Sequence, residues 1–128
     1  MASSKAPIIQ IYLVTAAIAK GKAVKFGTAN DTVVVGAANT DSCIGVIQNA
    51  PTASGDAAEV ATPGGGGKGL LGEAVTRGHD LVSHTDGTLV LPNAEGDQII
   101  ARAMASGAAA DLIPIEVYFA TAHAAQSV

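Results

Sequence analysis

Short runs of β-branched and aliphatic residues, separated by turn residues, make up most of the chain. Thr32-Val33-Val34-Val35 follows Ala29-Asn30-Asp31 and precedes Gly36, a pattern typical of a strand between two turns. Thr88-Leu89-Val90-Leu91 follows Asp86-Gly87, a pair that tolerates the positive φ angles of a tight hairpin. These patterns predict an all-β chain.

One segment is ambiguous by propensity. Gln98 to Ala105 is rich in Ala and contains Met, which favours a helix. An internal repeat, described next, matches this segment with Ser42 to Gln48, where Cys43-Ile44-Gly45-Val46-Ile47 has the pattern of a strand. We therefore predict strands in both places.

A shift of 57 residues superimposes the two halves of the sequence without a gap. Apolar and turn positions coincide, although few residues are identical. The matched pairs are Leu13 with Leu70, 17–21 with 74–78, Val24 with Leu81, 32–34 with 89–91, and 58–60 with 115–117. Lys20-Gly21 and Arg77-Gly78 become equivalent turns, each feeding a strand, at 22–26 and 79–83.

The repeat predicts two similar β lobes, sandwich-like or barrel-like, over residues 13–60 and 70–117. Between them, residues 61–69 include four consecutive glycines, which lose much backbone entropy on ordering, so we predict a flexible connector. Residues 1–14 are expected to form an N-terminal arm with a docking strand. Residues 118–128 are expected to form an unstructured C-terminal tail.

Composition changes this picture in one respect. Hydrophobic residues are 48% of the chain, but Ala and Val dominate them and aromatic residues are only 3%. Small side chains bury little area each, at about 25 cal/mol per Å² of apolar surface. A monomer of this size would be marginally stable, and we expect self-association to supply further burial.

Charge and cysteine content exclude several classes of function. The seven Lys and Arg residues are scattered and the net charge is −4, which disfavours nucleic-acid binding. Cys43 is the only cysteine, and its repeat partner Ile100 is apolar, so an inert core residue is expected. The longest apolar stretch, Ile11 to Ala19, is too short to span a bilayer, and no signal-peptide pattern precedes it. We predict no membrane partner and a cytoplasm-like compartment, or release by lysis.

Candidate catalytic motifs are incomplete. Gly64 to Gly69 resembles a phosphate-binding loop, but Thr62 replaces the first glycine and Gly69 replaces the hydroxyl residue after Lys68. Ser83 and His84 are neighbours on a predicted strand and would point to opposite faces, which argues against a triad with Asp80.

Histidines and glutamates also favour structural roles. His79, His84 and His123 are the only histidines; the first two lie at predicted turns. Glu59 and Glu116 occupy matched positions in matched strands and are expected to face outward, with a salt bridge across an oligomer or capsid interface as the alternative. We predict no catalytic, cofactor-binding or metal-binding residues.

Three elements of the repeat resemble small phage capsid decoration proteins, also called cement or head-stabilising proteins. In the first half they are Ala17 with Gly21 and Val24, then Ile44-Gly45-Val46, then Ala53-Ser54-Gly55-Asp56 leading to Val60. A weaker version follows in the second half, with residues 103–107 and Asp111 before Val117. The resemblance covers about residues 13–118.

The resemblance implies an all-β structural virion protein that binds the outer surface of a phage capsid. It implies a major capsid protein as partner, self-association with a homotrimer favoured over a dimer, assembly in the host cytoplasm, and no cofactor. We expect the N-terminal arm to contact the shell by adding a strand to a sheet of the shell. The predicted contact residues are Pro7, Ile8, Ile9, Gln10, Ile11 and Tyr12.

Two other functions remain open at this point. A carrier resembling the lipoyl or biotinyl domain would also pair two β halves, but needs a lysine at a hairpin tip. Lys25 and Lys68 are the candidates, and neither lies in the attachment tripeptide of that family. The third alternative is a small hydrolase or metal enzyme that uses His84.

Overall fold

The computed structural model of the chain describes residues 6–122. Ten strands form two lobes, and the predicted all-β fold with two β lobes is confirmed. The strands are β1 Ile9–Val14, β2 Ala23–Phe26, β3 Thr32–Val35, β4 Gly45–Ile47, β5 Ala57–Ala61, β6 Gly66–Leu70, β7 Asp80–Ser83, β8 Leu89–Val90, β9 Gln98–Ala103 and β10 Leu112–Thr121. Across this described part of the chain, no helix has the length and hydropathy needed to cross a bilayer.

The first lobe is a closed five-stranded barrel in the order β1-β3-β2-β4-β5, with β5 returning to β1. β1 runs parallel to β3 and antiparallel to β5. Its interior is small because valine and isoleucine fill it, as the low aromatic content of the chain requires. The fully buried side chains include Val14, Val24, Val33, Ile47 and Val60.

The second lobe repeats the topology of the first. Its strands are ordered β6-β10-β9-β7-β8, so that β6 to β10 take the places of β1 to β5 in turn. A single parallel bridge joins Leu71 to Leu89, where the first lobe pairs Val14 with Val33. The internal repeat is therefore a repeat of barrel topology.

The correspondence between the lobes is not free of gaps. Leu70 follows Leu13 by 57 residues, but their partners in the two ladders, Leu112 and Ala57, are 55 residues apart. The loops before the last strands are thus shorter in the second lobe. Glu116 consequently has no equivalence with Glu59, and the gap-free match at the end of the repeat was wrong.

The glycine-rich segment is a strand, which corrects the prediction of a flexible connector over residues 61–69. Ala61 ends β5, and Gly66–Leu70 forms β6, paired with β10. Glycine is required here by close packing: a Cβ on Gly67 would lie 2.7 Å from the Gln48 side chain. A Cβ on Gly69 would lie 2.5 Å from Leu89 Cδ1. Ordering is supported by neighbours that only glycine admits.

The two lobes share one hydrophobic core. Ala23, Cys43, Val46 and Ala61 of the first lobe pack in the same cluster as the buried residues of the second, such as Ile100. Backbone hydrogen bonds also cross the seam, from Leu70 N to Gly21 O (2.9 Å), Ala23 N to Gly87 O (2.8 Å) and Gln98 N to Asn39 O (2.9 Å). The lobes therefore form one packed unit.

Most of the local predictions agree with the structure. Gly21 and Gly78 have φ angles of 90° and 96° at equivalent turns before β2 and β7. Gly87, at φ 83°, closes the predicted hairpin between β7 and β8. Gln98–Ala103 is a strand, although its composition favours a helix, because β9 lies between β7 and β10 and its inner face is buried.

The predicted termini are corrected where they fall on described residues. β1 belongs to the barrel of the first lobe, so residues 9–14 are not an arm. β10 continues to Thr121 and Ala122 is buried, so the tail predicted from residue 118 is wrong over 118–122. Residues 1–5 and 123–128, including His123, lie outside the described residues.

Candidate functional site

The predicted contact segment presents an apolar ridge on the outside of the barrel. Side chains alternate along β1, with Tyr12 and Val14 packed in the barrel core and the odd positions outside. Ile11 is 60% exposed and Leu13 is 43% exposed. Exposed branched aliphatic side chains on one strand face are suited to contact with another protein surface.

Strand addition through this segment does not fit the fold. β1 pairs with β5 at every residue from Ile9 to Leu13, and with β3 at Leu13 and Val14. Ile8 is held as well, because its carbonyl accepts hydrogen bonds from Thr62 N (2.9 Å) and Thr62 Oγ1 (3.0 Å). The strand already has partners within the chain, so the available contact is through its outward side chains.

A groove of about 330 Å³ lies at the seam between the lobes. Its lining residues come from the end of β2, the loop before β4, the start of β9 and the end of β10. They are Phe26, Ser42, Cys43, Ile44, Gln98, Ile99, Ile100 and Phe119. The only two phenylalanines of the chain therefore line one groove, and they are 63% and 48% exposed.

A β-bulge places Phe119 on the surface. Ile113, Ile115 and Val117 are buried at alternate positions of β10, and Phe119 would continue that buried series. The register with β9 shifts between Val117 and Ala120, which inserts an extra residue and reverses the alternation. The exposure of Phe119 is therefore a consequence of the bulge.

Polar contacts on the other side of the bulge fix its geometry. The Tyr118 hydroxyl donates a hydrogen bond to Asp80, and the Arg102 guanidinium carbon lies 4.6 Å from the centre of the Tyr118 ring. Burial raises the pKa of Tyr118, and its hydrogen bond to Asp80 acts in the same direction. Because Tyr118 is anchored, its neighbour Phe119 is presented in a defined position.

On the opposite rim, Phe26 packs edge-on against Tyr12, with the ring centres 5.9 Å apart and the planes at 72°. This contact joins the groove to β1, the segment in which the shell contact was predicted. The ridge and the groove are therefore parts of one continuous region of the barrel surface.

The groove is electrically neutral. All eight lining residues are uncharged at neutral pH, and burial raises the pKa of the Cys43 thiol to about 11. The nearest charges along the chain are paired: Lys25 Nζ lies 2.9 Å from Asp41 Oδ2. Backbone hydrogen bonds from Ala37 and the interaction with Lys25 lower the pKa of Asp41.

Candidate catalytic residues do not converge. Ser83 is buried and His84 is exposed, so the two side chains diverge, as predicted. His79 Nδ1 accepts a hydrogen bond from Thr76 N within a turn (3.3 Å). Asp80 is engaged by Tyr118 and lies 3.8 Å from Arg102. Within residues 6–122, no three His, Cys, Asp or Glu side chains are grouped closely enough to bind a metal.

The two lysines considered for carrier attachment lie within strands. Lys25 is in β2, paired with Val34 of β3, and Lys68 is in β6, paired with Pro114 of β10. Neither is at a hairpin tip, where an attachment lysine must reach an external ligase. The structure gives no support to the carrier alternative.

Comparison with solved structures finds the same architecture in a phage protein. The crystal structure of the head fibre gp8.5 N base of bacteriophage phi29 matches with a TM-score of 0.68 and 15% sequence identity. The match covers 87% of this chain and 93% of the other. The fold resembles that of a phage head-fibre base. A scan of protein-family models and a search of curated proteins found no match.

Sequence reasoning missed the groove. Its lining comes from four separate segments whose proximity depends on the seam between the lobes, which no local pattern predicts. One signal was present: Phe26 and Phe119 are the only phenylalanines of a chain that is otherwise poor in large core residues.

Proposed function

We propose that this chain is a structural virion protein that binds the outer surface of a phage capsid and stabilises the expanded shell. The observation that carries the proposal is the match of both lobes, over 87% of the chain, to the base of a phage head fibre. A match of that extent includes the seam between the lobes as well as the individual barrels. It agrees with the resemblance to decoration proteins found in the sequence.

The described surface supports binding rather than catalysis. The ridge of Ile11 and Leu13 and the groove between Phe26 and Phe119 offer apolar area. Apolar anchors of this kind dominate the energy of protein interfaces. Many copies on an icosahedral shell add avidity, so each contact need only be modest.

The proposed partners are the major capsid protein and further copies of this chain, in a homotrimer or, alternatively, a dimer. The shell contact includes the segment from Pro7 to Tyr12, through its outward side chains. The proposed location is the outer surface of the virion, after synthesis in the host cytoplasm. Bridging neighbouring shell subunits would oppose the internal pressure of packaged DNA.

The direct test is binding of the purified chain to heads of the phage that encodes it. Expanded and unexpanded heads are titrated, separated by sedimentation, and the bound copies counted by quantitative mass spectrometry. We expect saturation at a fixed number of copies on expanded heads, and greater resistance of decorated heads to heat. Absence of saturable binding to either form of head would refute the proposal.

The printed description of the matched structure favours a second candidate, the base of a longer head fibre. In that case the chain would attach a projecting structure to the head, and shell stabilisation would be secondary. Electron cryo-microscopy of virions separates the two functions. A decoration protein leaves density confined to the capsid surface, whereas a fibre base supports a projection that extends beyond it.

A further inference from the structure

The groove at the seam between the lobes has the features of a preformed binding site. Its volume, about 330 Å³, lies within the range of pockets that hold small ligands or protruding side chains. Ile99 and Ile100 contribute an apolar wall, and a phenylalanine stands on each rim. Phe26 is braced by Tyr12, and Phe119 is set by the β10 bulge. Preorganised aromatic rims lower the entropy cost of binding.

The chemistry of the groove limits its occupant to an uncharged, apolar group. No lining residue is charged, and the adjacent Lys25 and Asp41 neutralise each other at 2.9 Å. Asp97, next to Gln98, is buried and accepts hydrogen bonds from Asn93 N (2.8 Å) and Asn39 Nδ2 (2.7 Å). A charged side chain entering the groove would be desolvated without a free counter-ion.

Its position favours the shell as the source of that group. Tyr12, the last residue of the segment proposed to contact the shell, packs directly on the rim at Phe26. A shell subunit covering β1 would therefore also reach the mouth of the groove.

We propose that the groove receives an uncharged apolar side chain, such as Leu, Ile, Met or Phe, from an exposed segment of the major capsid protein. This inference rests on the proposed function and assigns a specific anchor to it. The groove then acts as the central contact of the docking surface, and the β1 ridge as its surroundings. Desolvated central pockets of this kind carry most of the energy of an interface.

The test compares two serine variants at residues of matched exposure on one strand. Phe119→Ser removes a rim of the groove, and Leu112→Ser removes a side chain that is 45% exposed at the opposite end of β10. The two positions are about 20 Å apart along the strand. Head binding, melting temperature and solution mass by light scattering are measured for each variant. Phe26→Ser is included to test the other rim.

We expect Phe119→Ser and Phe26→Ser to weaken binding to expanded heads at least tenfold, with solution mass unchanged. We expect Leu112→Ser to bind within twofold of the unaltered chain. Equal losses for Leu112→Ser and Phe119→Ser, or binding of both rim variants within twofold of the unaltered chain, would overturn the groove proposal while leaving the proposed function intact. Failure of the unaltered chain to bind heads would overturn both.

A crosslinking experiment identifies the occupant independently of any loss of stability. Phe119→p-benzoylphenylalanine keeps an aromatic ring on the rim and reacts on illumination with groups in contact. On decorated heads we expect the crosslinked product to contain the major capsid protein, with the same substitution at Leu112 giving little product. A product made of two copies of this chain would assign the groove to self-association and overturn the proposal.

Discussion

The Gln48 side chain pairs with the backbone of Lys68 as another strand would. Its Nε2 donates to Lys68 O (3.0 Å) and its Oε1 accepts from Lys68 N (2.8 Å). The side chain comes from the first lobe, just after β4, and satisfies the edge of β6 in the second lobe. It lies over Gly67, where a Cβ would approach it to 2.7 Å. One glutamine thus explains both the order of the glycine-rich segment and the need for glycine within it.

This relationship predicts a coupling between positions 48 and 67. Gln48→Ala should lower the free energy of unfolding by about 1–2 kcal/mol, because two hydrogen bonds are lost at a partly exposed edge. Gly67→Ala should be costly in the unaltered chain and much less costly beside Gln48→Ala, since the obstructing side chain is gone. Urea unfolding of the two single variants and the double variant measures the coupling. Additive effects would show that the glutamine does not restrict position 67.

A second prediction concerns a turn that recurs four times, in which an Asp carboxylate accepts from the backbone three or four residues earlier. The turns end at Asp41, Asp56, Asp97 and Asp111. Asp97 is 1% exposed and also bonds Asn39 across the seam (2.7 Å), whereas Asp56 is exposed. Truncation at Asp97 leaves buried donors without a partner, and truncation at Asp56 exposes its donors to water.

We therefore expect Asp97→Ala to lower the free energy of unfolding by about 3 kcal/mol and Asp56→Ala by about 1 kcal/mol. Each is measured by urea unfolding at neutral pH. Asp97→Asn keeps an acceptor oxygen and should recover part of the loss. Similar costs at Asp97 and Asp56 would mean that burial and the bond to Asn39 contribute little.

The turns and the repeat could be predicted because they depend on local residue types. The glycines at positions 21, 78 and 87 occupy turns with positive φ, which few other residues adopt. The same local logic failed for residues 61–69. Entropy argues for disorder in four successive glycines, but tertiary neighbours such as Gln48 decide the outcome, and these are distant in sequence.

The site was predictable only in part. The alternation of β1 was visible in the sequence, but its pairing with β5 depends on closure of the barrel, which strand patterns alone do not specify. The bulge that exposes Phe119 is equally silent, since Ile113 to Phe119 shows the alternation of an ordinary half-buried strand. Predicting the groove requires knowledge of both the bulge and the seam.

A third prediction explains the glycine of the Ile44-Gly45-Val46 motif. A Cβ on Gly45 would lie 2.1 Å from the Ala61 carbonyl oxygen, a backbone atom that cannot move aside cheaply. Gly55, in contrast, has nothing within 4 Å of the Cβ position, but its φ of 91° disfavours other residues. Gly45→Ala should cost about 3 kcal/mol or more, or prevent folding, and Gly55→Ala about 1–2 kcal/mol. Thermal unfolding ranks the two, and a smaller cost at Gly45 would contradict the close packing of β4 and β5.

The last prediction concerns the dependence of stability on pH. Burial raises the pKa of Cys43 from 9.0 to about 11, the charge of Asp41 adds to the effect, and a hydrogen bond with Ser83 opposes it. A raised acid pKa means that the folded state keeps a proton that the unfolded state has lost. Stability due to this group is therefore intact below about pH 9 and declines as the pH rises from 9 towards 11, by at most about 1.4 kcal/mol per pH unit.

Urea unfolding between pH 8 and pH 11 measures this slope, and Cys43→Ala provides the control because alanine does not titrate. The variant should be less stable at pH 8, owing to lost packing, yet its stability should fall less steeply above pH 9. Tyr118, whose pKa is also raised from 10.0, contributes a loss in the same direction in both proteins and cancels in the comparison. Parallel slopes for the two proteins would place the Cys43 thiol in contact with solvent, and the wall of the groove at Cys43 would then be more open than the structure shows.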